Sequence, residues 1–492
     1  MVGDWLLAVL SLRCIDLLYR QVTAGRLPGV VLLEIFGFYF AEEYQVDYWH
    51  TLVHVCQRWR NVVFSSPRRL NLQLFCTPGR PIAEIFNIWP ELPIFVSYDG
   101  PPRNTDDVVA ALKLKGFVSG IDLTVKSGSA AEWETFAAEM QDPFPMLENL
   151  RLRSFHDDMK PVISDSFFGG SAPRLRLQYL LLSNIVFPAL PNLLLSATDL
   201  VELRLWDWDI PHSGYISPEA MVTNISALTR LKLLSLHFQS PRSRPDGAGQ
   251  LLPPLMRTPL PSLTDLDFRG VTEYLEDLVT RIDVPLLNRA NITLFNQLVF
   301  DISQFPNLTC RTEKFKVLDQ ADVFLDSYFI NIKLLPKGGT INPIWLKLGI
   351  SCIKLDWQLS ALAQVCNSCL PTLSSLERLR ICDDDRYLPP LWKDDMESPQ
   401  WLEMLRPFVT VKDLYLSKKV ARRVAAALQG LSDSEELVTE VLPALQDIFI
   451  ESLQPSGLIQ EVFHKFVTVR GRQVSCVPVA IHSWVREKAR WE

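Results

Sequence analysis

Cys366-Asn-Ser-Cys369 is the single Cys-x-x-Cys of the chain, and Cys352 and Cys382 on either side would complete four thiolates of the kind that hold zinc. The intervals of 14, 3 and 13 residues fit no compact finger, and the pair falls inside the apolar helical stripe Leu362 to Leu370. Buried thiols acting as small hydrophobes are the expectation there. His50 and His54 stand four apart, as metal ligands on one helix face would, yet no Glu lies between them to serve as a base. They read as structural histidines. Gly169-Gly170 and Gly338-Gly339 are isolated turn pairs, with no phosphate-cradling loop around them, and no Gly-x-Ser-x-Gly elbow occurs. No catalytic residue, metal or cofactor is expected, and the chain is read as a non-enzyme. Asp383-Asp384-Asp385, Asp394-Asp395 with Glu397, the Arg242 and Arg244 loop and Ser434-Glu435-Glu436 read as solvated connections.

With catalysis unsupported, the arrangement of elements carries the reading. The 492 residues are 48% hydrophobic and 21% charged, enough for a large core and too apolar for a disordered chain. Lys and Arg number 49 against 56 Asp and Glu, and a net charge of −7 argues against a general binder of phosphate backbones, so no nucleic-acid partner is expected. Nine scattered Cys do not make a disulfide framework and fit a reducing compartment, which places the chain in the cytoplasm or nucleus. The apolar start, Met1 to Leu12, carries Asp4 and no basic lead, so a secretory signal is not expected, and the sequons at Asn224, Asn291 and Asn307 then carry no weight. The longest uncharged stretch, Tyr179 to Thr198, is broken by Asn184, Pro188, Pro191 and Asn192, so no membrane span is expected.

Leucine supplies 76 of the residues, and it recurs in a short pattern, Pro-x-Leu-x-x-Leu-x-Leu. Copies start at Pro145, Pro261 and Pro443, and looser ones run Leu200 to Leu205, Leu231 to Leu236, Leu376 to Ile381 and Val411 to Leu416. The first core residues of the predicted strands fall at 150, 180, 203, 234, 266, 292, 353, 379, 414 and 448, most steps being 23 to 35 residues. One gap of 61 points to a degenerate unit near Phe329 to Ile332. Spacing of this kind predicts stacked strand-plus-helix units that bury one face against their neighbours. An ordinary α/β domain with Leu-rich strands is the alternative. The expected fold class is therefore mixed α/β: a short helical start, then a leucine-rich-repeat-like solenoid with a curved parallel sheet and outer helices. Residues 1–25 form an unassigned lead, 26–67 a helical domain, and 68–492 the irregular repeat domain with a C-terminal cap.

In the helical part, Leu27-Pro28 opens a helix whose Val31, Leu32, Ile35, Phe36 and Tyr39 share a face, and Leu52, Val55, Cys56, Trp59, Val62 and Val63 form a second stripe. These stripes exceed what two short helices bury between themselves. The positions Leu27, Pro28, Leu32, Leu33, Ile35, Phe36, Val55, Cys56, Trp59 and Arg60 resemble an F-box over about residues 26–67. Gly29 and Val30 stand where that family commonly carries Asp or Pro and Glu. Together with Ser65 to Leu70, Trp89 to Pro93 and the repeats, the chain is similar to the large F-box family of mushroom-forming (basidiomycete) fungi.

The resemblance implies a substrate-recognition subunit of a Skp-cullin-F-box ubiquitin ligase. A Skp-type adaptor, and through it a cullin, would dock on a surface that Leu27, Pro28, Leu32, Ile35, Phe36 and Trp59 form or directly support, while the repeats hold an unidentified protein substrate. A repeat scaffold that has lost adaptor binding is the alternative.

Side chains alternate along each strand, so with the leucines turned inward the intervening residues face out. That alternation places Arg204, Trp206, His237, Asp267, Arg269, Phe295, Asp356, Arg380 and Tyr415 on the open face as the expected substrate contacts, a mixture of the types found in binding hot spots. The alternative is that Trp206 and Phe295 pack under a neighbouring loop and the rest is solvated sheet.

Overall fold

The computed structural model describes residues 27–41, 49–66, 69–70, 72–78, 82, 86, 92–100, 105–126, 130–155, 161–169, 175–208, 216–238, 256–295, 304–326, 329–336, 344–352, 355–370, 373, 375–383, 398–431, 440–453, 457–471 and 479–485. It divides into two compact units, one of residues 1–156 with 166–170 and one of the remainder.

In the first unit the helices Gly29–Ala41, Trp49–Val55 and Gln57–Ser65 occupy the segment read as F-box-like. Most of their apolar stripes is buried, with Val31 and Val55 left exposed. Leu32, Phe36, Leu52, Val53 and Val63 close on Leu70, Leu72, Leu74 and Leu92, residues that lie beyond the helices and complete the core. The Trp59 ring meets Phe36 edge-on at 4.9 Å, and Arg60 Nε donates to the Val53 carbonyl at 3.0 Å, tying the second and third helices together. Four strands follow in chain order, all parallel: β1 (Leu74–Cys76), β2 (Ile94–Gly100), β3 (Val118–Val125) and β4 (Asn149–Ser154).

The second unit holds β5 (Tyr179–Ser183), β6 (Glu202–Trp208), β7 (Leu233–Phe238), β8 (Thr258–Pro259), β9 (Asp265–Gly270), β10 (Ile282–Asp283), β11 (Arg289–Phe295), β12 (Leu318–Leu325), β13 (Phe329–Pro336), β14 (Trp345–Ser351), β15 (Arg378–Asp383), β16 (Asp413–Leu416), β17 (Asp447–Glu451) and β18 (Ala480–Trp484). Its main sheet has the order β5-β6-β7-β9-β11-β14-β13-β12-β15-β16-β17-β18, while β8 and β10 pair separately. Described helices such as Leu190–Ser196, Pro218–Ile225, Leu355–Cys369 and Lys418–Leu431 fill the connections.

The recurring Pro-x-Leu element has a physical meaning here. Its leucine is buried, as at Leu263, Leu376 and Leu445, each 0% exposed. Each also turns the chain by donating its N–H to the carbonyl three residues back: Leu263 to Leu260, Leu376 to Leu373 and Leu445 to Leu442. The next residue then hands its N–H to the equivalent residue of the preceding copy, giving the relay Lys232 to Val201, Thr264 to Lys232 and Asn288 to Thr264 at 2.8–2.9 Å. One turn thus starts each of these strands and fixes its register. Inward residues such as Leu203, Leu205, Leu234, Leu236 and Ile292 are 0% exposed, and burial of each is worth about 1.5–3 kcal/mol relative to exposure.

The expectation of an all-parallel sheet fails at one place. β13 runs antiparallel to both neighbours, β12 and β14. From β11 the chain passes two sheet positions to β12, returns along β13, and lays β14 beside β11. Phe329 to Ile332, suspected of hiding a degenerate unit, is this reversed strand. The strand expected at Ile353 is instead β14, Trp345–Ser351, and Leu355 already opens the helix Leu355–Cys369.

Candidate functional site

In-register partners on neighbouring strands share a face, so the ladder locates the outward side chains of the second unit. One row runs Arg204, Ser235, Asp267, Asn291, Lys347, Lys333, Asp322, Arg380, Tyr415, Phe449, His482, each residue paired with the next. The row survives the strand reversal because β13 lends Lys333 to the same face. Arg204, Asp267 and Arg380, expected on one surface, lie in it. His237 and Arg269 are paired in the adjacent row, and the Arg269 guanidinium lies 5.7 Å from the centre of the Phe295 ring. Asp356 does not belong: it sits in the helix Leu355–Cys369, because the expected strand is out of place by a whole segment.

Two clusters stand on this face. In the first, Asp267 is the hub. Ser235 Oγ and His237 Nε2 each donate to its Oδ2 at 2.8 Å, and Asn291 Nδ2 donates to its Oδ1 at 2.8 Å. The Trp206 indole donates to Ser235 Oγ at 2.8 Å and stacks on His237 with the rings 5.4 Å apart. Ser, His and Asp meet here, with Ser235 Oγ also 3.4 Å from His237 Nε2, and both Ser235 and His237 donate to the Asp267 carboxylate.

Burial works to raise the Asp267 carboxyl, but the bond and charge of His237, with the Ser235 and Asn291 bonds, outweigh it and hold the group below its ordinary value. A carboxyl lowered on folding contributes stability above its unfolded pKa and loses it as pH falls through the folded one. Asp267→Asn should therefore destabilise the protein at pH 7 by about 1–3 kcal/mol and lose part of the wild-type drop in stability below about pH 4. Denaturant unfolding at pH 3 and pH 7 reads both. An unchanged difference between the two pH values counts against the assignment.

The second cluster is aromatic. Tyr415 stacks on Phe449 at 4.3 Å with 5° between planes, Phe449 stacks on His482 at 4.9 Å, and Trp484 meets Tyr415 edge-on at 5.6 Å. Arg378 and Arg380 lie over Tyr415, each 5.9 Å from the ring centre. Arg380 reaches Asp322 only at 3.9 Å, and burial, opposed mainly by Arg380, raises the Asp322 carboxyl. Asn291, Lys347, Lys333, Asp322, His482 and Trp484 were not expected. His482 and Trp484 lack a leucine copy to announce their strand, and Lys347 and Lys333 sit in the misplaced and reversed strands.

At the F-box-like helices, Leu32 and Phe36 are 0% and 1% exposed and belong to the core, so they cannot themselves touch an adaptor. Ile35, Trp59 and Leu27 are half-buried against that core, and Pro28 is exposed. Among the described side chains of the first helix, the large exposed apolar ones are instead Val30, Val31 and Phe38, at 62%, 41% and 72%. Cys352, Cys366 and Cys382 are buried, and among the described residues no metal-holding group of His, Cys, Asp and Glu forms. Arg242, Arg244, Asp384, Asp385, Asp394, Asp395, Glu397 and Ser434 to Glu436 lie outside the described residues. Among those described, no helix is long and apolar enough to cross a membrane.

No family model matches the chain, and no curated protein matches it. Solved structures similar to it include the leucine-rich repeat-containing protein LegL7 from Legionella pneumophila, at 13% identity and a TM-score of 0.27, over 80% of this chain and 97% of that one.

Proposed function

We propose that this chain works by binding and not by catalysis: the open sheet face holds a protein substrate, and the helices of residues 29–65 dock a Skp-type adaptor that links it to a cullin ubiquitin ligase. One observation carries the adaptor half. Val30, Val31 and Phe38 stand exposed on the helix Gly29–Ala41 although the core beneath is complete without them, and Pro28 is exposed at the same end. Apolar side chains left outside a finished core suit a partner. The substrate half is supported by the continuous row from Arg204 to His482, with its stacked aromatics and arginines.

Phe38→Asp tests the adaptor half without touching the core. Co-purification with a Skp-type adaptor should fall at least tenfold, while the circular dichroism melting curve stays that of the wild type. Ile35→Asp, half-buried, should lose binding and stability together. Wild-type protein that fails to capture adaptor at micromolar concentration would leave the second reading, a scaffold without a ligase. The helix Gly29–Ala41 has no acidic residue in its first turn, and that favours this second reading.

A further inference from the structure

Lys418, Arg422, Ala425, Ala426 and Gln429 recur at helical spacing along one side of the helix Lys418–Leu431, which packs against the helix Leu458–Gly471. Alanines stand midway along that side, and the two helices do not close over them. They leave a cavity of about 470 Å³, a volume in the range of small-molecule sites. Its floor is the carboxyl end of β17, and Leu453, Ile459 and Val462 form the wall opposite the alanines. The chain leaves β17 through Ser452, which also borders the cavity and is held in the left-handed region at φ 50° while its N–H donates to the Trp484 carbonyl at 3.1 Å.

Lys418 and Arg422 are both exposed, one helical turn apart, and both line this cavity. Among the described residues neither side chain has a carboxylate within 4.0 Å. Nearby lysines are engaged: Lys419 with Asp383 at 3.1 Å, and Lys412 with Glu377 at 2.7 Å. Glu451 is the one acid among the described lining residues, and its carboxylate accepts the backbone N–H of Lys418 at 3.2 Å. Two cations thus stand against a single carboxylate that is already bonded.

We infer that this cavity binds a small amphipathic carboxylate, an aliphatic acid. Arg422 meets the carboxylate, Lys418 adds a second charge, and the tail lies along Ala425, Leu453, Ile459 and Val462. None of the lining residues belongs to the row from Arg204 to His482, so the inference stands apart from the binding of a protein on the open face. The composition of the cavity selects the ligand class. Aliphatic walls favour an apolar body, whereas a guanidinium and an ammonium one turn apart favour an anionic head. Inorganic phosphate would leave the apolar walls unfilled, and a neutral or cationic amphiphile would leave both cations unmatched.

The probe is sodium decanoate, titrated calorimetrically into the full chain below its micelle concentration. Wild type should bind one equivalent. Arg422→Gln should weaken binding at least tenfold and Lys418→Gln at least threefold; both side chains are exposed, so the melting temperatures should match wild type. Lys316→Gln, an exposed residue paired with Glu313, should leave binding unchanged. Ala426→Leu fills the cavity from an exposed position, so binding should be lost while the melting temperature stays at or above that of wild type. Binding that survives Arg422→Gln and Ala426→Leu, or equal binding of decanol or decyltrimethylammonium, overturns the inference. Wild type that ignores decanoate at millimolar concentration overturns it as well, and sedimentation with anionic phospholipid vesicles in that case would assign the two cations to a membrane surface instead.

Discussion

Phe268→Ala should cost about 3–5 kcal/mol of stability, the range for emptying a fully buried aromatic site. Phe268 is 0% exposed on β9 and faces the Phe238 ring at 6.0 Å and the Tyr274 ring at 6.0 Å, while Phe238 and Tyr274 touch each other at 4.7 Å. The trio spans two neighbouring strands and the helix Thr272–Arg281, so its loss opens a cavity between repeats. Tyr274 limits the collapse, because its hydroxyl is held on the Ile216 carbonyl at 3.1 Å. Equilibrium unfolding in urea gives the number. A loss under about 1 kcal/mol would show that this seam is not packed as described.

Gly270→Ala should cost about 1–3 kcal/mol for the opposite reason, overpacking. A methyl group there would stand 2.7 Å from Phe238 Cδ2 and 2.7 Å from Phe268 Cζ, on rings with nowhere to go. Gly120 gives the contrast. Its obstacle, the Phe95 ring at 2.2 Å, belongs to a half-buried side chain that can swing aside, so Gly120→Ala should cost less. The double variant Phe268→Ala with Gly270→Ala should be more stable than the sum of the two singles, since removing one ring makes room for the methyl. Additive losses in a double-mutant cycle would mean that the clash is relieved elsewhere.

The repeat architecture was legible where the Pro-x-Leu turn announces a strand, because burial of one leucine and a three-residue turn leave a fixed trace in the sequence. Strands at 150, 180, 203, 234, 266, 292, 379, 414 and 448 are where the leucine spacing places them. Those without the trace were missed, apart from β13, whose apolar run Phe329 to Ile332 was noticed in the long gap. β1, β2 and β3 have no leucine copy, and β12 and β13 are stabilised by pairing with each other, a tertiary effect that no local pattern encodes. Ile353-Lys-Leu355 alternates over only three residues, too few to separate a strand from the start of a helix. Trp345 to Ser351 alternates over seven but carries Lys347 and Gly349 outward, which hid it. At the F-box-like helices the apolar period picked out the buried Leu32, Phe36, Leu52 and Val63 but counted the exposed Val31 and Val55 with them, since buried and partner-facing positions share that period. Only the packing of Leu70, Leu72, Leu74 and Leu92 separates Phe36 from Phe38.

The reversed strand β13 also bears on how the second unit comes apart. In a simple stack each repeat leans only on its neighbours, and end repeats can fray and re-form one at a time. Here the segments joining β11 to β12 and β14 to β15 each pass two sheet positions, so the strands on either side of β13 interleave along the chain. β14 pairs with β11 on one edge and with β13 on the other, so it belongs to both halves of the sheet. Fraying from either end must stop at this crossing, and the three strands β12, β13 and β14 open together or not at all. The centre of the array is thus a cooperative block, and it is the block that carries Lys347, Lys333 and Asp322.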